Sequence, residues 1–566
     1  MNKASSQSIT PRSLPHWRRL SSVVAAWLGV SRSQHILQTG ESAAIGPSFI
    51  FFAGALAALA LIWAPDYLPM VDAPNHLADL HILSSAVTSP LRHMYAVVWK
   101  PIPDLGLELV YMALRDIMSP ETVLRLCISL SFVLILGAVH TIQRAIFGRL
   151  SYAAAAAPIF LFGSPWHMGY INFLMGISLA LVALAIYVSA RRRLTPILIV
   201  ALGILGAVML FCHLAGFAGF VLLLTGLHLS EELTARRLPR LLPFARKILP
   251  LGIIFAPGAA LYLLCEKPLH TYGIVYNFDK FRIFAVAALA TGGEIDAAIL
   301  IGVIILFMAA HRVGAVHIWK TGKASLVLLG VAIIIMPNAI NNAIDVDSRM
   351  VSLLVLALLA ITELRLESNR QRTSAFMALC LLTAVRTASI AAQAHAYGQT
   401  VTQFRADAAA VIAPEKNILV SNDTRTRANC RVADTDSETS DLLTHLASFA
   451  TIDQEAFIPL IFTGKGMQPL RLQPAYADLG TSASVPVPAI LLKPADDPAL
   501  HERMKQVLEK NHLPIYFLGW PAKFDYVVMF DHGCARNPLP AILKPLATDS
   551  LFVIYQVMKQ PQTLGG

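Results

Sequence analysis

The chain has 566 residues, of which 56% are hydrophobic and only 14% charged, and its mean hydropathy is +0.60. Soluble domains carry about one-quarter charged residues, so this composition excludes an ordinary soluble protein and points to a chain that crosses a membrane many times. The net charge of +10 does not call for nucleic acid, because Lys and Arg fall in short clusters between apolar runs, as the positive-inside rule expects of cytoplasmic loops.

Residues 1–46 are basic and Ser-rich, with Arg12, Arg18, Arg19 and Arg32. Their apolar patch at 23–30 is too short to span about 30 Å of hydrocarbon, so the segment reads as a partly disordered cytoplasmic tail. A first span follows over about 47–64. The stretch Asp66-Tyr67-Leu68-Pro69-Met70-Val71-Asp72-Ala73-Pro74-Asn75-His76 then emerges outside. A loop that only reverses the chain needs Pro, Asn and Gly more than Asp and His, so this one is a candidate for chemistry at the bilayer surface. Residues 77–118 are moderately apolar and read as one or two helices lying on the outer leaflet, within a long first outer loop over 65–120.

Basic punctuation places the remaining spans: 123–141, a hairpin over 152–190 turning at Gly163-Ser164-Pro165-Trp166-His167, a pair over 196–229 turning near His213, then 249–264, 297–310, 325–340 and 350–364. A last span begins near Thr373 and carries Arg386 well along its length. The N-terminus is then inside and the C-terminus outside. From about residue 395 the hydropathy falls to that of a soluble domain. Apolar runs at 417–420, 526–530 and 551–557 fit buried parallel strands, and 436–450 reads as a helix. The expected fold is an α-helical polytopic membrane bundle of about eleven spans over 47–394, with a small extracytoplasmic α/β domain over 395–566. No Gly-rich phosphate loop precedes a helix in that domain, so a nucleotide site is not expected. Cys127, Cys212, Cys265 and Cys380 read as buried apolar residues, while Cys430 and Cys534 could pair in an oxidising compartment.

In this topology the unusual polar clusters all face outward. Asp72 either caps a helix running through His76, Asp79 and His81, or acts as a general base or metal ligand with His76 one turn away. Arg349, Lys280 and Arg282 break the positive-inside rule together, which suggests a phosphate or pyrophosphate site; salt bridges to Asp345, Asp347 and Asp279 are the competing account. Arg386 lies within hydrocarbon, either snorkelling to the interface or binding a lipid phosphate with its planar fork.

An Asp in the first outer loop, about a dozen spans, outward cations in late loops and a C-terminal extracytoplasmic domain together resemble the C-type glycosyltransferase (GT-C) superfamily. The segment Pro69-Met70-Val71-Asp72-Ala73-Pro74-Asn75-His76-Leu77-Ala78 resembles one recurrent in bacterial multi-span proteins of that kind, as do Tyr170-Ile171-Asn172-Phe173 and Ile458-Pro459-Leu460-Ile461-Phe462. The resemblance implies a bacterial cytoplasmic-membrane enzyme with a periplasmic C-terminal domain. It would move a sugar from a polyprenyl-phosphate donor to a glycan, lipid or protein acceptor. Carried onto this sequence, Asp72 and His76 would do the chemistry, and Arg349, Arg386, Lys280 and Arg282 would hold the donor phosphate. No second acid adjoins Asp72, which argues against a metal-dependent mechanism, although Asp66 could supply a second carboxylate if the loop folds back; a divalent metal ion stays open on that account, and no other cofactor is implied. A transporter or flippase of an anionic or lipid-linked solute is the main alternative, although no internal repeat of the transporter kind is present; a non-catalytic membrane assembly protein is the third.

Overall fold

The computed structural model describes residues 41–190, 194–234, 241–268, 274–276, 280, 293–340, 343–422, 441–481, 485–492, 515–530 and 537–559, with a few positions between 502 and 508. Pro47–Gly566 forms one compact unit and Met1–Gly46 another. The expected tail, Asp279, Arg282, Cys430 and Cys534 lie outside the described residues.

Helix α1 (Glu41–Trp63) carries the first apolar run. The loop after it folds inward instead of lying on a leaflet. Ten of the twelve residues of α2 (Ala73–Ser84) are buried, the apolar Leu77, Ala78, Leu80, Ile82 and Leu83 together with the polar Asn75, His76 and Asp79. Helix α3 (Gly106–Leu114) completes this loop. The start of α4 (Pro120–Phe147) is set by Ser119, whose hydroxyl accepts the Thr122 N–H at 3.2 Å, and by Pro120 in the first turn; Gly148 ends it at φ 74°.

The hairpin expected over 152–190 has only one full arm. Its first half is a buried series of short turns, Tyr152–Ala155, Ala157–Phe160 and Ser164–Met168, interrupted where Pro158 and Pro165 cannot donate a backbone hydrogen bond. The full arm is α5 (Ile171–Ala190). Helices α6 (Pro196–Cys212) and α7 (Leu214–Thr234) are separated by His213, whose backbone is extended. Then come α8 (Leu241–Leu264), α9 (Glu294–Arg312), α10 (Lys323–Ile335), α11 (Val346–Ala360) and α12 (Asn369–Val411).

Among the described residues, five helices are long and apolar enough to cross a membrane: α1 from Gly46, α4, α5, α9 and α12. Segments 196–212, 214–230 and 249–264 are shorter apolar helices. With α10 and α11 at only 13 and 15 residues, helix length alone does not yield eleven spans.

The 43 residues of α12 extend about 64 Å, more than the 40–45 Å or so of a bilayer with its headgroups. A Ser368–Gln371 capping box starts the helix, and its C-terminal part supports the sheet. Phe404 meets Phe530 and Phe552 with ring centroids 6.3 and 5.2 Å apart. The boundary expected at 395 therefore falls within a continuous helix.

The sheet contains β1 (Ile418–Asn422), β2 (Val487–Pro488), β3 (Tyr526–Phe530), β4 (Leu543–Thr548) and β5 (Phe552–Val557), in spatial order β4-β5-β3-β1-β2. Strand β1 is parallel to β2 and β3, as expected for buried apolar runs. Strand β5 is antiparallel to both its neighbours, which corrects the expectation of a third parallel strand. The bundle thus has a sheet end and a far end. At the far end the Gln143 amide donates to the carbonyls of Leu359, Ala360 and Thr362, which closes the C-terminus of α11.

Candidate functional site

At the sheet end Asp72 occupies the N-cap position of α2, yet its side chain makes no capping hydrogen bond. Its carboxylate turns instead to His445, with Oδ1 3.4 Å from Nε2, and the two side chains are 14% and 4% exposed. The other imidazole nitrogen, Nδ1, lies 3.2 Å from Asn75 Nδ2. Asn75 Nδ2 also donates to Leu460 O at 2.7 Å, and Asn75 Oδ1 accepts from the Phe462 N–H at 3.3 Å. With that amide orientation fixed, Nδ1 accepts and the proton of the neutral ring resides on Nε2, where it donates to Asp72. Asn75 therefore sets the tautomer, and His445 orients the carboxylate.

The backbone of Asp72 is held as firmly as its side chain. Val71 and Asp72 donate to His167 O and Met168 O at 2.9 and 3.1 Å. Gly169 makes this docking possible, because it sits at φ 85° and a Cβ there would lie 2.9 Å from both Asp72 N and Asp72 Cβ. His76 faces the same turn, its Nε2 3.2 Å from Gly169 O, and its ring lies against Phe462. Burial pushes the His76 imidazole down, so it is neutral near pH 7.

One residue beyond Gly169, the Tyr170 ring lies under Arg349, with the guanidinium carbon 3.5 Å from the ring centroid. Tyr170 donates to Asp345 Oδ2 at 3.1 Å, and Arg349 Nη2 donates to Ile344 O at 2.9 Å. Arg349 Nη1 stands 3.2 Å from His213 Nε2. The His213 Nδ1 already accepts the Ala215 N–H at 3.0 Å, so a neutral ring carries its proton on Nε2, facing the guanidinium donor to donor. An anionic oxygen between them would satisfy both. Among the described residues no carboxylate forms an ion pair with Arg349, and its Nε is buried without a partner.

A third cluster lies beside these two. Asp104 has φ 92°, an unfavourable conformation for a residue with a Cβ, held because its own N–H and that of Leu105 both donate to Phe211 O at 3.1 and 2.7 Å. Asn172 Nδ2 donates to Asp104 O at 3.2 Å and to Glu108 Oε2 at 3.3 Å, and its Oδ1 accepts from the Leu107 N–H at 2.6 Å. Burial pushes the Asp104 carboxyl up to about 7, against the opposing pull of Arg349, with the Asp72 charge adding to the rise. The same effect raises Glu108 to about 8, with Asp104 contributing. Asp72 and Arg349 thus act on common neighbours, Tyr170 and Asp104.

Of the other cations named from sequence, the two among the described residues, Lys280 and Arg386, have their charges matched. Lys280 pairs with Asp347 and donates to Met336 O. Arg386, 3% exposed, is bound to Asp296 and to Phe162 O within the bundle. Among the described residues no three His, Cys, Asp or Glu side chains are grouped to hold a metal ion. Sequence reasoning missed His445, Asn75, Asp104, Glu108 and Asn172 as members of the cluster. Asn75, Asp104, Glu108 and Asn172 sit in stretches noted for other reasons, but nothing local in the sequence ties His445 to Asp72.

No protein-family model matches the chain, and no curated protein matches it. The crystal structure of ArnT from Cupriavidus metallidurans in the apo state is similar to this chain at 14% sequence identity. The match covers 92% of this chain and 100% of that one, with a TM-score of 0.43.

Proposed function

We propose that the protein is a membrane glycosyltransferase that moves a sugar from a polyprenyl-phosphate donor to an acceptor hydroxyl at the sheet end of the bundle. One observation carries this reading. A histidine-oriented carboxylate that makes no cap hydrogen bond (Asp72) and an arginine with no matching carboxylate among the described residues (Arg349) stand on either side of the Gly169-Tyr170 pair, at the end of an apolar helical bundle.

In the proposed reaction the acceptor oxygen bonds to the anomeric carbon while the bond from that carbon to the phosphate oxygen breaks, its electron pair leaving with the phosphate. Asp72 takes the hydroxyl proton. The His445 Nε2–H keeps the carboxylate aimed and compensates its charge beforehand. Arg349 and the His213 Nε2–H receive the phosphate oxygens on which charge grows, as fixed donors that need no reorganisation during the reaction. Tyr170 holds the guanidinium plane from below.

The test is Asp72→Asn in purified, bilayer-reconstituted protein supplied with a labelled polyprenyl-phosphate sugar. Transfer should fall by about 10²- to 10⁴-fold, the usual contribution of a general base, while donor binding persists. Transfer at the original rate would remove Asp72 from the chemistry and the reading with it.

A further inference from the structure

A cavity that the transfer step leaves unused opens at the sheet end, between the segment after α1, the first turns of α2 and α4, and Tyr397 of α12. It holds about 30 Å³, room for roughly two or three water-sized groups and too little for a sugar ring. Its wall carries three aromatic rings, Tyr67, Tyr397 and Phe449, and three charged side chains, Asp66, Glu121 and Arg125. Tyr397 is 5% exposed, and its buried hydroxyl has no hydrogen-bond partner among the described residues. A hydroxyl buried in this way is costly unless a polar group enters to meet it.

Charge decides what can enter. Arg125 spends its guanidinium on the carbonyls of Ile62, Pro65 and Asp66, which close the end of α1. Among the described residues neither the Asp66 nor the Glu121 carboxylate has an ion pair or a hydrogen bond. Arg405 stands over the Phe449 and Tyr67 rings, 5.0 and 5.8 Å from their centroids, and Asp453 neutralises it through Nε at 2.8 Å and through Nη2. Two carboxylates against one guanidinium leave the wall with a net charge of −1. Ring faces and unpaired carboxylates together favour a small cation over an anion.

Position narrows the source of that cation. Helices α1 and α4, both long and apolar enough to cross a membrane, are tied together here: the exposed Trp63 ends α1 and donates its indole N–H to Ser129 Oγ of α4 at 2.9 Å. A tryptophan in that place marks the headgroup level of a bilayer. Leu56 of α1 and Leu130 of α4, further into the two spans, are exposed apolar side chains against which acyl chains can run.

We propose that the cavity seats the ammonium group of an ethanolamine-type phospholipid, met by the Asp66 and Glu121 carboxylates, the Tyr397 hydroxyl and the aromatic rings, while the phosphate and acyl chains stay at the bilayer surface. The short ammonioethyl arm matches the space. Ala73 and Pro74, which follow Asp72, form part of the wall, but neither Asp72 nor Arg349 does, so the site stands independently of the transfer chemistry.

The test is native mass spectrometry of the full-length, delipidated protein in detergent, titrated with dihexanoyl phosphatidylethanolamine, dihexanoyl phosphatidylglycerol and free ethanolamine. The glycerol lipid keeps the phosphate and chains but lacks the ammonium, and free ethanolamine separates a lipid headgroup from a soluble amine. The wild type should bind the ethanolamine lipid about tenfold or more tightly than the glycerol lipid. Tyr397→Phe should weaken that binding by about 3- to 10-fold, the scale of one hydrogen bond, and Glu121→Gln, at an exposed position, by a similar factor. Binding of the glycerol lipid should not fall in either variant. Equal affinity of the wild type for the two lipids, or an ethanolamine-lipid affinity unchanged in both variants, would overturn the inference. Free ethanolamine binding as tightly as its lipid would overturn the assignment to a headgroup.

Discussion

At the far end of the bundle Glu363 is held between Arg149 and Arg365, at 2.9 and 2.6 Å, and the Gln143 amide satisfies three carbonyls at once. At the sheet end Arg349 faces His213 donor to donor, Asp104 holds a positive φ, and Asp79 and Glu108 leave oxygens bare. The two ends use similar residue types with opposite results. Where charge and donor count balance, the residues close the ends of helices. Where they do not, donors face donors and carboxyl oxygens stay bare, and strained or unsatisfied groups of this kind gather at functional sites.

The comparison can be broken most forcefully at the sheet end. Asp72→Asn should carry the largest effect, the loss of transfer described above. Next is Arg349→Ala, which removes a charged donor and should weaken binding of the polyprenyl-phosphate donor by about 10- to 100-fold, the scale of a charge-assisted hydrogen bond; equilibrium binding in detergent measures it. Arg349→Lys should recover little, because a point charge cannot reproduce the planar contact with Tyr170.

A smaller effect is expected in stability. Carboxyls with folded values near 7 and 8, against about 4 in the unfolded chain, hold more protons in the folded state across that window. Stability should therefore fall as pH rises from about 4 to about 8, and thermal unfolding of Glu108→Gln should show a shallower decline. The smallest effect belongs to the far end. Glu363 is paired with two arginines that are more than half exposed, so Glu363→Gln should cost on the order of 1 kcal/mol or less and leave transfer unchanged. A large loss of transfer in that variant would erase the distinction between the ends.

Much of this was legible in the sequence, for identifiable reasons. The Asp66–His76 stretch stood out by composition, and Arg349 by breaking the positive-inside rule, because both signals are local. Arg386 was equally conspicuous as a charge in an apolar run. Its pairing with Asp296, ninety residues earlier, depends on how α9 and α12 pack. His445 was hidden for the same reason, since the segment that carries it meets α2 only in the folded chain. The broken first arm of the 152–190 hairpin follows from Pro158 and Pro165, which hydropathy alone ignores. Asp104 shows its importance only through a backbone angle, and residue type does not encode that.

The central claim is that base and anion site are separate groups serving one reaction, and paired binding and turnover measurements on two variants test it most directly. In reconstituted protein with the labelled donor, Asp72→Asn should bind the donor as the wild type does and fail to transfer. Arg349→Ala should bind it at least tenfold more weakly and transfer more slowly even at saturating donor, because it also loses a donor to the departing phosphate. Equal donor affinity in Arg349→Ala and wild type, together with undiminished transfer by Asp72→Asn, would contradict the account.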